Sequence, residues 1–151
     1  MTLSIKLTSE MTAEEMTPLW PDIMRCFQMY CSRFKDDETV ENMLSQCSNG
    51  RRQLWIIQDE SGRVILAPIT EIVKIDATGA LRFVCAEIGG ERLQEAMPLL
   101  SEMERWAAEE KGCTEFELIG RKGWQRLLAP FEYEFAASIY RKTLRPSHGV
   151  A

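Results

Sequence analysis

At 151 residues, with a net charge of −5, 45% hydrophobic and 27% charged residues, the chain has the size and balance of one globular domain. A chain of this length buries about two thirds of its unfolded surface and needs no disulfide or metal to hold it together. The acidic balance argues against a nucleic-acid binder, whose footprint is basic; Arg51-Arg52 and the group Arg141, Lys142 and Arg145 read as solvated strand or helix ends.

Leu3, Ile5 and Leu7 alternate with Ser4, Lys6 and Thr8, the period of a half-buried strand. Thr8 or Ser9 then caps a helix with Glu14 and Glu15 in its first turn. Met16, Leu19, Trp20, Ile23, Met24, Phe27 and Tyr30 make one apolar stripe, bent or delayed by Pro18 and Pro21. The polar stretch Lys35-Asp36-Asp37-Glu38 precedes a short second helix that Ser48-Asn49-Gly50 stops.

A block of strands follows. Gln53 to Gln58 is a strand, Asp59-Glu60-Ser61-Gly62 a hairpin turn, and Arg63 to Ile75 a second strand in which Pro68 marks an irregularity. Asp76 to Gly79 turns the chain into a third strand, Ala80 to Ile88. Gly89-Gly90 opens a long helical segment that Pro98 interrupts and Lys111-Gly112 closes. Thr114 to Ile119 alternates again, Trp124 to Leu128 is a short helix, and a last strand pair runs from Phe131 to Leu144.

Five cysteines, an odd number with no C-x-x-C pair, point to reduced thiols and give no disulfide framework or metal site. The single histidine, His148, lies in the terminal stretch Pro146 to Ala151, so a histidine-based triad is discarded. The start Met1-Thr2-Leu3-Ser4-Ile5-Lys6 has no secretory pattern, and no apolar run approaches the length of a membrane span. The expectation is a cytoplasmic protein.

The order strand, helix, helix, three meandering strands, helix, strand, helix, strands resembles the GNAT (acyl-CoA N-acyltransferase-like) fold over residues 3 to 144. The sharpest local phrase is Gly120-Arg121-Lys122-Gly123-Trp124-Gln125-Arg126-Leu127-Leu128, which is similar to small GNAT-like proteins of tailed bacteriophages. The resemblance implies a single α/β (α+β) domain over residues 1–145 with a flexible tail at 146–151. It further implies a mixed, mostly antiparallel sheet of six to seven strands, flanked by about four helices.

In that family a glycine loop before the third helix holds the pyrophosphate of acyl-CoA on backbone amides. The fourth and fifth strands splay, so that the pantetheine arm pairs with a free strand edge. Cys85, Ala86, Gly89, Gly90, Glu91 and Arg92 stand at the loop, with Gly90 in the place of the last glycine. Cys85 replaces an Arg or Gln, Ile88 replaces the first glycine, and Glu87 and Glu91 add negative charge. Glu71 and Glu87 are the candidate carboxylate bases. The family's acid tyrosine falls near Leu127 or Leu128, where none occurs, leaving Tyr133 and Tyr140 on the following strands; Trp124 is a candidate for lining a cleft.

Two functions stay open at this point. The altered loop favours a phage-type protein with a degenerate acyl-CoA site, a non-catalytic module that binds a basic protein partner in a virion or host, or its own copies. The alternative is an active acetyl-CoA-dependent N-acetyltransferase on an amine of a small molecule or protein. Neither a nucleic-acid partner, a membrane nor a metal is expected.

Overall fold

The alternating segments on either side of the Asp59–Gly62 turn build the middle of the sheet. In the computed structural model, which describes residues 2–144, β1 (Ser4–Leu7), β2 (Gln53–Gln58), β3 (Val64–Lys74), β4 (Leu81–Gly90) and β5 (Cys113–Leu118) lie in that order. Pairing is antiparallel from β1 to β4 and parallel between β4 and β5. The hairpin between β2 and β3 is tied by the Asp59 carboxylate, which accepts from the amides of Ser61 at 2.9 Å and Arg63 at 3.1 Å. Gly62 closes it at φ 89°, a value that favours glycine.

The first helical stretch divides at its prolines, as the sequence implies. α1 (Ala13–Met16) passes through a 3-10 turn at Thr17–Leu19, containing Pro18, into α2 (Trp20–Arg33) with Pro21 in its first turn. The cap is Thr12, not Thr8 or Ser9. Thr12 Oγ1 accepts from the Glu15 amide while Glu15 Oε1 accepts from the Thr12 amide, a reciprocal capping box. Thr8 is occupied elsewhere, donating its hydroxyl to the Leu54 carbonyl at 2.8 Å. α3 (Val40–Ser48) is capped by Thr39. α4 (Leu93–Ala96) gives way to a 3-10 turn around Pro98 and then to α5 (Leu100–Lys111), which Gly112 ends in the left-handed conformation.

These helices cover both faces of the sheet. Ile23, Cys26 and Phe27 of α2 and Met43 of α3 pack with Leu54, Ile56, Ala67 and Ile69. On the opposite face, Ile57, Ile65 and Leu66 pack with Ala96 of α4. Trp106 of α5 stacks edge-on against Trp55 there, at 5.3 Å, and beside Phe83 at 5.7 Å. Trp55 keeps its indole N–H satisfied inside this layer by donating to Thr70 Oγ1 at 3.0 Å.

The chain divides after Arg121 into two compact units. The second holds a 3-10 turn at Lys122–Trp124, α6 (Gln125–Leu128) and another 3-10 turn at Ala129–Phe131. Among the described residues there are five strands, not six to seven. The expected pair between Phe131 and Leu144 does not form, because Glu132 turns the chain at φ 68° and residues 133–144 carry no strand. Ala136-Ala137-Ser138 breaks the alternation there and offers little bulk for cross-strand packing. The expected tail at 146–151 lies outside the described residues.

Candidate functional site

A register shift in β4 decides where its one acidic side chain points. Ile69 of β3 lies opposite Glu87 and Thr70 opposite Cys85, which leaves Ala86 as the extra residue of a β-bulge. Strict alternation would keep Glu87 on the face of Phe83 and Cys85, toward α5. The bulge transfers it to the face of Ile69, beneath α2 and α3. There Glu87 is 5% exposed.

Arg52, at the entrance to β2, meets it. Its Nη1 donates to Glu87 Oε1, and its Nε donates to Glu71 Oε2 at 3.2 Å. The side chain is 16% exposed, so Arg52 is no solvated strand end. The Arg52 amide donates to the Gln46 carbonyl at 3.1 Å, which locks the turn leaving α3. Both candidate carboxylates thus converge on one guanidinium, Glu71 from β3 and Glu87 from β4. Arg52 also borders a cleft of about 410 Å³ together with Trp20, Cys47, Gln53, Trp106 and Lys111.

Burial pushes the Glu87 carboxyl up to about 7, the neighbouring Glu38 pushes it further the same way, and Arg52 opposes both. Glu87 Oε2 is buried and meets no hydrogen-bond donor. Around this group, burial lifts the Tyr30 phenol to about 12 and the Cys47 thiol to about 11, with the Glu87 charge adding to each. Cys85 is held near 12 by burial. Neither thiol is a ready nucleophile. What the arrangement offers is a carboxyl that gains and loses a proton near neutrality.

The stretch expected to open a helix belongs to β4 instead. Gly89 and Gly90 pair with Ala67 and Leu66, and the helix starts at Leu93. Each glycine has a packing reason. A Cβ on Gly89 would lie 2.1 Å from the Cys26 carbonyl oxygen of α2, and one on Gly90 would lie 2.1 Å from the Ile65 carbonyl oxygen. The Glu91 amide donates to that same Ile65 carbonyl at 2.8 Å. Arg92 then turns the chain at φ 62° and pairs its guanidinium with Glu95.

The fit of this region to acyl-CoA rests on the edge of β4. The β4–β5 ladder ends at Cys85 and Leu118, closed by the Ile119 amide donating to the Cys85 carbonyl at 3.1 Å, while β4 runs on to Gly90. Because the Glu91 amide turns toward β3, alternation turns the backbone groups of Ile88 and Gly90 toward the opposite edge. No described strand pairs with that edge beyond Cys85. It can therefore take an amide-bearing arm as an added strand would be taken. The expected repulsion of phosphate is also relieved. Glu87 points to the other face, and the Glu91 carboxylate is paired with Arg63 at 3.2 Å and Arg25 at 3.9 Å.

Tyr133 lies in the second unit, where its amide donates to the Leu128 carbonyl at 3.4 Å. Trp124 and Tyr140 belong to the same unit, and Tyr140 is 93% exposed. Sequence reasoning missed two members of the site, Arg52 and Glu38. The first is half of an Arg-Arg pair that reads as surface charge, and the second ends an acidic run that reads as a loop. The only sequence signal for Arg52 is its position one residue before a buried strand.

No family model and no curated protein matches the chain. Solved structures do. A GNAT family acetyltransferase from Staphylococcus aureus superposes with a TM-score of 0.64 at 13% identity, covering 95% of this chain and 100% of that one. An aminoglycoside acetyltransferase from an uncultured soil metagenomic sample gives 0.65 at 9% identity, with 96% and 100% covered. The ribosomal-protein-alanine N-acetyltransferase of Brucella melitensis gives 0.61 at 16% identity, with 95% and 100% covered. The chain has the fold of the GNAT acetyltransferases. At these identities the likeness establishes the fold and leaves the activity to the site.

Proposed function

We propose that the chain is an acyl-CoA-dependent N-acyltransferase in which Glu87 is the general base toward an amine acceptor. The observation that carries this is the Glu87 carboxyl, swung by the Ala86 bulge into a buried site and raised to about 7. A base works best with a proton affinity near the working pH. Acetyl-CoA, when bound, supplies the activated acyl group. Ile88 and Gly90 offer backbone groups to its amide arm along β4, and Arg63 and Arg92 are the cations beside the turn that follows. Glu87 takes the proton from the amine nitrogen as that nitrogen attacks. Arg52 stabilises the carboxylate form between turnovers and bridges it to Glu71. Tyr133 remains the sequence candidate for the acid.

Calorimetric titration with acetyl-CoA tests the reading. Saturable micromolar binding supports it, and no heat at millimolar ligand overturns it. Gly90→Glu is an unsuitable control, since any side chain there collides with Ile65; Ile88→Pro, which removes an edge amide, is the better one.

One observation favours a second reading, the phage-type binding module that uses the fold to engage a protein of a virion or host. In the second unit Phe135, Ile139, Tyr140 and Leu144 are 66, 71, 93 and 83% exposed, an unusual share of apolar surface. A Tyr140→Glu variant that loses capture of a protein partner while keeping acetyl-CoA binding would favour it.

A further inference from the structure

The cleft that Arg52 borders runs against the charge of the chain. There are 23 acidic and 18 basic residues in all, yet the twelve that line the cleft include two cations, Arg52 and Lys111, and no acid. A cleft walled by one sign of charge concentrates its field on whatever enters. Arg52 already shares its charge with Glu71 and Glu87 through Nε and Nη1. Lys111 pairs with no carboxylate among the described residues, and its ammonium stands 5.5 Å from the centre of the Trp106 ring. It is the unneutralised cation of the lining.

The polar groups around it lean the same way. Gln53 Oε1 is taken by the Thr70 hydroxyl at 2.9 Å, which leaves the Gln53 side chain only its N–H groups to offer. Cys47, its thiol pushed up to about 11 by burial, stays uncharged at neutral pH. The rest of the lining is aromatic and apolar: Trp106, Trp20 at 37% exposure, and the buried Met16 and Leu54. At about 410 Å³ the cleft has the size of a small-molecule site. It is also a different place from the β4 edge. Lys111 closely precedes Cys113, which pairs with Leu81 at the start of β4, and the free edge lies at the other end of that strand, toward Gly90.

We propose that this cleft binds a flat, ring-bearing carboxylate, with Trp20 and Trp106 taking the ring and Lys111 the carboxylate. An indole face holds a flat ring at little entropic cost, and the lysine supplies a point charge that a single carboxylate satisfies. The Gln53 amide and Arg52 Nη2 are the further donors. Occupation of the cleft needs no acyl transfer, so the inference stands apart from the reading of Glu87.

The test is an amide and indole NMR titration of the full chain with naphthoate, beside the same bicycle carrying a hydroxymethyl group in place of the carboxylate. Naphthoate should shift the indole N–H signals of Trp20 and Trp106 and the side-chain amide of Gln53, saturating with a Kd below about 1 mM. The alcohol should bind at least about tenfold more weakly, and Lys111→Ala should weaken naphthoate by a similar factor. Arg105→Ala removes a cation of the same helix that does not line the cleft, and should leave the affinity within about twofold. No saturable shifts at about 10 mM naphthoate would overturn the proposal. Equal binding of acid and alcohol to the wild type would also overturn it, and so would an affinity indifferent to Lys111→Ala.

Discussion

Replacing Glu87 with glutamine should make the protein's stability less dependent on pH, in a direction and amount that follow from the site. The folded protein holds the Glu87 proton up to about 7, whereas an unconstrained glutamate releases it near 4.5. Between those values the folded state binds more protons than the unfolded one, so this group's contribution is complete below 4.5 and is lost as pH rises through 7. At roughly 1.4 kcal/mol for each tenfold change in proton affinity, the wild type loses about 3 kcal/mol of stability from this group between pH 4.5 and 8. Glutamine keeps an acceptor for Arg52 and does not titrate, so the variant lacks that loss. Urea unfolding of both proteins across this range gives the answer as a difference, in which all other titrating groups cancel. The variant should gain on the wild type steadily as pH rises. Curves that stay parallel within about 0.5 kcal/mol would mean that Glu87 titrates like an exposed carboxyl, and a base poised near neutrality would then be ruled out.

Gly89→Ala drives a Cβ to 2.1 Å from the Cys26 carbonyl oxygen, so α2 must lift from the sheet; a loss of about 1–3 kcal/mol in thermal or urea unfolding is expected. Arg52→Met leaves Glu87 beside Glu38 and Glu71 without its cation. It should raise the Glu87 inflection above 7 and destabilise by about 3 kcal/mol at pH 8, with a smaller loss at pH 6, where Glu87 takes a proton. Thr70→Val removes the acceptor of the Trp55 indole and the donor to Gln53 Oε1 at 2.9 Å. Chemical denaturation should show a loss of about 1–3 kcal/mol with the fold retained.

The sheet was readable because its signals are local. The run Gln53 to Gln58, the turn at Asp59–Gly62 and the alternation in residues 113–118 are short-range patterns that packing did not override. The prolines at 18, 21 and 98 likewise marked real breaks. The failures have different causes. The C-terminal pair carried aromatic residues at strand spacing, but Ala136-Ala137-Ser138 gave no bulk to pair across a ladder. The glycines at 89 and 90 looked like a ligand loop, because nothing in a sequence shows that a helix carbonyl from Cys26 and a strand carbonyl from Ile65 lie where their side chains would be. The carboxylates Glu71 and Glu87 could be proposed from their strands, but not the face they share. That depends on a one-residue bulge at Ala86 and on an arginine 35 positions from Glu87. Such relations are set by tertiary register and leave no periodic trace.

The proposed chemistry meets its most direct test in the release of CoA from acetyl-CoA, followed from pH 5.5 to 9 with primary amines present or absent, in wild type and Glu87→Gln. The prediction is amine-dependent release that rises with pH through an inflection near 7, and falls about 10²- to 10⁴-fold in the variant while acetyl-CoA binding is retained. Release that is indifferent to the amine, or equally fast without the Glu87 carboxylate, would contradict the assignment of Glu87 as the base.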